Sequence, residues 1–156
     1  MKLMAVFPKQ SNRHYKKLKI KLICIHQELP MSATEAAKAI EAFFKAFNAH
    51  DNEAYQKALH YPHIRINNNG RVIIIQDPAD WSLERALTYL AKNEGWEYST
   101  LDSVKVIQAS EVKVHFDIEF SRYKKDGTRY AVHKSLWIVT KKDGQWGVQA
   151  RSSFAP

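Results

Sequence analysis

The sequence predicts a single α+β domain, helices first and an antiparallel sheet after them, and three observations carry that prediction. Between Trp96 and Phe154, extended apolar runs alternate with short polar joints, two of them Asp126-Gly127 and Asp143-Gly144. Asp-Gly is a strong hairpin signal, because both central residues of a type I′ turn need φ > 0 and glycine takes that without steric cost. Upstream, the apolar residues recur instead at helical spacing. Finally, 156 residues are one domain's worth, and 45% hydrophobic with 26% charged content is ordinary for a globular chain.

Taken in order, Ser32 and Glu35 form a capping box, with Thr34 a competing N-cap, ahead of a first helix. Ala36, Ile40, Phe43, Phe44 and Phe47 supply its buried stripe, and Lys38, Glu41 and Lys45 its outer face. The stretch from Asn48 to Asn52 breaks it. A shorter helix is predicted from Glu53 to about His60, burying Tyr55 and Leu59 and ended by Pro62. Ile64–Ile66 and Val72–Ile75 flank Asn69-Gly70 and read as a hairpin. Asp77-Pro78 reads as an N-cap with proline at the first helical position, opening a third helix to about Asn93. Leu83, Leu87 and Leu90 face inward there, and Gly95 stops it. Four strands follow in a meander, the last three being Val112–Tyr123, Tyr130–Thr140 and Trp146–Phe154.

Two-residue turns fix a register for that meander. Phe120 then faces His133, Ile118 faces Ser135, and Phe116 faces Trp137; across the next turn Trp137 faces Ala150, Ser135 faces Ser152, and His133 faces Phe154. Period two places these residues, with Val114, Val139 and Val148, on one apolar face for the helices to cover. The other face carries Asp117, Glu119, Lys134, Leu136, Ile138 and Arg151, with Glu119 opposite Lys134. Its mixture of apolar and charged groups suits a subunit interface.

The net charge of +8 suggests nucleic acid until it is located: seven Lys/Arg and one acid fall in residues 1–30, leaving the remainder at +2. The body lacks the basic groove that phosphate binding needs, and no run approaches the roughly 18 apolar residues of a membrane span. Residues 1–30 read as a basic extension, either upstream of a natural start at Met31 or an added edge strand or interaction arm; 31–156 are the domain. Cys24 is the only cysteine, so no intramolecular disulfide can form, and a cytoplasmic setting is the expectation.

With that element order, the chain resembles the nuclear transport factor 2-like superfamily, also called the SnoaL-like or cystatin-like α+β cone. The residues carrying the likeness are Phe43 to Asp51, the hairpin at Asn69-Gly70, and Gly144 to Phe154. The resemblance implies a curved antiparallel sheet, hairpin plus four-stranded meander, wrapped around three helices as a cone with an internal pocket, commonly dimeric through the sheet. It departs from the ketosteroid isomerase pattern. Phe43 stands where that family's oxyanion-holding tyrosine would be, and Asn67 or Asn68 where its base would be, and a carboxamide takes up no proton at neutral pH.

His133, Ser135 and Ser152 are the polar members of the apolar sheet face. His133 and Ser135, two apart on one strand, are poorly placed as base and nucleophile, and read better as hydrogen-bonding groups in a pocket walled by Phe43, Phe47 and Trp137. Asp102 has two registers: one brings it to the apolar face, where it and His133 form an acid–base pair, and the other puts it outside beside Asp117. His60 and His63 are separated by Pro62 and have no partner carboxylate at ligand spacing, so no metal is expected, nor a cofactor. The expectation is thus a pocket protein for a small apolar or aromatic molecule, with acid–base chemistry resting on His133 and Asp102. It forms a homodimer through Asp117, Leu136, Ile138 and Arg151, without nucleic acid or membrane. The alternative is a non-catalytic dimeric module for protein association.

Overall fold

The computed structural model describes residues 30–155, so the expectations about residues 1–29 and Cys24 lie outside the described residues. Helix α1 (Met31–Asn48) buries Ala36, Ile40, Phe43 and Phe44 along the predicted stripe. Its start differs from the capping-box expectation: Pro30 precedes the first turn, no side chain caps it, and the Pro30 carbonyl accepts from Ala33 N–H instead. Asp51 caps α2 (Asn52–Lys57) through Ala54 N–H.

Helix α2 is shorter than predicted. From Leu59 the chain is already strand β1 (Leu59–Ile66), because Val148 N–H binds the Ala58 carbonyl and pulls the segment onto the sheet. Pairing with β2 (Val72–Ile75) follows as the Asn69-Gly70 signal predicts. Asp77-Pro78 opens only a single 3₁₀ turn, Pro78–Asp80; the helix proper, α3 (Leu83–Glu94), is capped by Ser82 and closed by Gly95 at φ 72°. That positive φ is the left-handed conformation that glycine adopts freely.

The meander comprises β3 (Tyr98–Ala109), β4 (Lys113–Tyr123), β5 (Arg129–Lys142) and β6 (Gln145–Ser153). The open sheet has the order β2-β1-β6-β5-β4-β3; its pairings are antiparallel except β1 with β6, which is parallel. Between β4 and β5 the predicted register holds: Phe120 pairs with His133, Ile118 with Ser135 and Phe116 with Trp137. The turn there is longer than two residues, with Gly127 N–H bonded to the Lys124 carbonyl, and the offset is cancelled by a bulge at Arg122/Tyr123.

Between β5 and β6 the register changes. Lys142 pairs with Gln145 and Val139 with Val148 as the two-residue turn requires, but Gln149 is then an extra residue and Ile138 pairs with Ala150. A bulge of one residue flips every side chain beyond it. Trp137 therefore faces Arg151, and Leu136 faces Ser152. Arg151 leaves the outer face for the inner one, Ser152 does the reverse, and Phe154 is 71% exposed.

The core lies between α1, α3 and the inner sheet face, around Ile40, Tyr55, Leu83, Val114, Phe116, Ile118, Trp137, Val139 and Val148. Each such aliphatic or aromatic side chain contributes about 1.5–3 kcal/mol on full burial.

Candidate functional site

Between α1, α3 and the inner sheet face a cavity of about 460 Å³ remains. Its wall is aromatic: Phe43, Phe44 and Phe47 from α1, Tyr55 from α2, Trp81 before α3, and Phe120 and Trp137 from the sheet. These rings lock one another. Phe43 meets Trp137 edge-on at 4.8 Å and Tyr55 at 4.9 Å between centroids, while Phe44 stacks on Trp137 at 5.7 Å. Offset and edge-on ring pairs add about 0.5–1.5 kcal/mol beyond their buried area, so the wall is rigid.

Into this wall project Arg65, Arg122 and Arg151, with Arg85 at the mouth, against one lining carboxylate, Asp80, which is exposed. Arg65 and Arg151 are paired neighbours on β1 and β6, so their side chains leave the same face side by side. Arg122 is neutralised: it donates to Glu94 at 2.7 Å, and the Tyr130 hydroxyl donates to the same carboxylate oxygen at 2.8 Å. Neither Arg65 nor Arg151 has an acidic partner among the described residues.

Aromatic faces take that place. The Arg151 guanidinium carbon lies 4.7 Å from the Phe43 ring centroid and 5.3 Å from that of Trp137; that of Arg65 lies 4.9 Å from Trp81. Such contacts return about 0.5–2 kcal/mol, less than the several kcal/mol that desolvating an unpaired cation costs. The imbalance shows in the acidities. Burial lowers Arg65 to about 10, helped by neighbouring Arg151, and burial likewise lowers Arg151, opposed by the Tyr55 hydroxyl. Arg65 at that value is still a cation at neutral pH.

His63 holds Arg151 in place. It is fully buried on β1, and its Nδ1 lies 3.0 Å from the Val148 carbonyl, which can only accept; the ring proton is therefore on Nδ1. Nε2 is left as an acceptor, and Arg151 Nε–H donates to it at 3.2 Å. Burial, and next the Arg151 charge, push His63 down to about 3, so the ring is neutral under ordinary conditions and suited to accept. With Nε engaged, the terminal nitrogens of Arg151 are left to the Tyr55 hydroxyl beside it and to the cavity.

The residues expected from the sequence divide. Phe43, Phe47 and Trp137 line the cavity. Ser135 lines only a small void of about 50 Å³ beside it, and its hydroxyl is occupied, donating to the Ser152 carbonyl and accepting from Trp137 Nε1–H. Ser152 does not line the cavity, because the Gln149 bulge turns its side chain to the outer face. His133 packs against Phe120, with ring centroids 5.2 Å apart, away from the cavity lining; its Nε2 is buried without a partner. Asp102 is the extra residue of a bulge between Leu101 and Ser103, exposed, and accepts from Thr100 and Ser121. Asp102 and His133 thus lie on opposite faces and form no acid–base pair. Arg151 is absent from the outer face, which corrects its place in the expected dimer surface.

No grouping of three or more His, Asp or Glu residues that could hold a metal occurs among the described residues. No described helix is long and apolar enough to cross a membrane.

No family model matches this chain, and no curated protein matches it. Solved structures do. A protein of unknown function with a cystatin-like fold from Nostoc punctiforme superposes with a TM-score of 0.65 at 11% identity, over 82% of this chain and 93% of that one. A nuclear transport factor 2-like protein with a cystatin-like fold from Novosphingobium aromaticivorans gives 0.61 at 14% identity, over 80% and 81%. A protein from Catenulispora acidiphila, solved in complex with S-DNPA, gives 0.60 at 12%, over 78% and 91%. With a six-stranded curved sheet around three helices and these superpositions, the chain has the cystatin-like α+β fold of the nuclear transport factor 2-like proteins.

Proposed function

We propose that this protein binds a small aromatic or apolar molecule in the cavity between α1, α3 and the sheet. The observation that carries the reading is the wall of eight aromatic residues, the exposed Tyr89 included, left facing a space of about 460 Å³, where a purely structural core would have closed on itself. Ligand pockets are typically of this size, largely apolar, with a few placed polar groups. That a neighbour of the same fold was solved in complex with S-DNPA supports the reading. The role proposed is binding: the lining offers arginines, tyrosines and a mouth aspartate, and neither His133 nor Asp102 reaches it.

We further propose a homodimer through the outer sheet face, where Val132 (48% exposed) and Leu136 (42% exposed) lie among Asp117, Glu119 and Lys134. This arrangement leaves the cavity on the opposite side free.

Isothermal titration of the full chain with 2-naphthol, a neutral aromatic probe, tests the pocket. Saturable binding is expected, and Ala86→Trp, which fills the lining, is expected to remove it without lowering the melting temperature. No saturable binding, or binding indifferent to Ala86→Trp, contradicts the reading.

A further inference from the structure

We propose that the ligand is an aromatic carboxylate, its ring against the Phe43–Trp137 wall and its anionic group on Arg151 and Arg65. This rests on the pocket reading above and specifies the chemical class of the ligand.

The arginines of the cavity have unused hydrogen-bonding capacity. The positive charge of Arg65 and Arg151 meets no carboxylate there: Asp80, the one acid of the lining, is exposed and forms no ion pair among the described residues. Arg65 makes no side-chain hydrogen bond among the described residues, Arg151 donates Nε–H to His63 with the Tyr55 hydroxyl beside its guanidinium, and Trp81 has a buried indole N–H without an acceptor. Glu94, the acid that pairs with the lining Arg122, is already shared with Tyr130. Arg65 and Arg151 both line the cavity, and no guanidinium nitrogen of either is both sealed and unpartnered. A site with spare donors and two uncompensated positive charges recognises an acceptor bearing negative charge.

The geometry favours a planar group. Both guanidinium groups lie over rings, Phe43 and Trp137 for Arg151 and Trp81 for Arg65. His63 fixes Arg151 about its Nε–H. A guanidinium so held presents a rigid fork, which a carboxylate matches with two parallel hydrogen bonds. The apolar surroundings strengthen that pairing by excluding water, and the aromatic wall supplies the contact area for a ring.

The test compares 2-naphthoate with 2-naphthamide, which has the same ring system and nearly the same shape but no charge. With the full chain, naphthoate is expected to bind at least tenfold more tightly. Arg151→Gln is expected to weaken naphthoate at least tenfold and leave naphthamide nearly unchanged; Arg71→Gln, removing an exposed arginine of equal charge, is expected to change neither. Should naphthamide bind as tightly as naphthoate, or Arg71→Gln weaken naphthoate as much as Arg151→Gln, the carboxylate proposal is overturned while the pocket reading stands. Should neither ligand bind, both fall. The wild-type comparison decides even if a variant fails to fold.

Discussion

Arg151 Nε–H donates to His63 Nε2 at 3.2 Å, and His63 donates in turn to the Val148 carbonyl at 3.0 Å. One neutral imidazole therefore ties a buried cation to the backbone of the strand that carries it. The bond demands that His63 stay unprotonated, since an imidazolium has no acceptor and would face Arg151 as a second positive charge.

That requirement has a pH signature. His63 sits at about 3 when folded against an ordinary 6.5, chiefly through burial and then through Arg151. Between those values the unfolded chain holds a proton that the folded chain lacks, so stability rises with pH across the window and is lost as pH falls below about 6.5. The contribution approaches ~1.4 kcal/mol per pH unit. His60 and His133, also lowered by burial, act in the same direction, but more solvent reaches them. His63→Gln keeps one acceptor and one donor without the titration. Urea unfolding between pH 4 and 7 should show a flatter slope in that variant, and an unchanged slope would assign the acid sensitivity elsewhere.

His133 carries the opposite expectation. Its Nε2 is buried without a partner beside Phe120, and an unsatisfied buried polar atom costs about 1–3 kcal/mol. His133→Leu should leave the protein as stable or about 1 kcal/mol more so, and leave 2-naphthol binding unaltered. Thermal melts and titration check both; lost binding would place His133 in the site after all.

Gly147 shows how closely β6 approaches β1. A Cβ there would lie 2.5 Å from His60 Cδ2, and His60 is held by Thr140 Oγ1 at 2.9 Å from its Nδ1. Gly147→Ala should destabilise by about 1–3 kcal/mol, as overpacking does. Adding His60→Ala should recover most of that loss. Equal stability of single and double variants would mean the strain arises from the backbone rather than from this contact.

Leu136→Asp tests the dimer. A carboxylate in a desolvated interface without a partner is costly, so the variant should sediment as a monomer that melts as a folded protein. Wild-type chain that is already monomeric at high concentration would remove the proposed interface.

Much of this fold was legible in local signals. Asp143-Gly144 set the start of the β5–β6 pairing, Leu83, Leu87 and Leu90 marked the buried face of α3, and Phe116 pairs with Trp137 as predicted because the bulge at Arg122/Tyr123 cancels the longer turn. The cavity wall was partly legible too, in Phe43, Phe47 and Trp137. Arg151 was not, for a physical reason. A regular β6 would bury Phe154 and expose Arg151, which is the better pattern by hydrophobicity. The structure takes the worse one through a bulge at Gln149, whose side chain bonds Thr140 and the Pro62 carbonyl. Breaks of local pattern gather where binding is served. His63 was equally hidden: next to Pro62 and His60 it suggested a metal ligand or nothing, and only the fold brings Val148 and Arg151 to its two nitrogens.

This cavity, and not the outer sheet face, is proposed to receive the ligand. Two-dimensional NMR of the labelled full chain during titration with 2-naphthoate tests it most directly, because each face carries its own reporters. Shifts are expected at the indole N–H groups of Trp81 and Trp137 and at the amides of Tyr55 and Arg151, with Val132 and Leu136 unmoved. Shifts confined to Val132, Leu136 and their neighbours, with Trp81 and Trp137 silent, would contradict it.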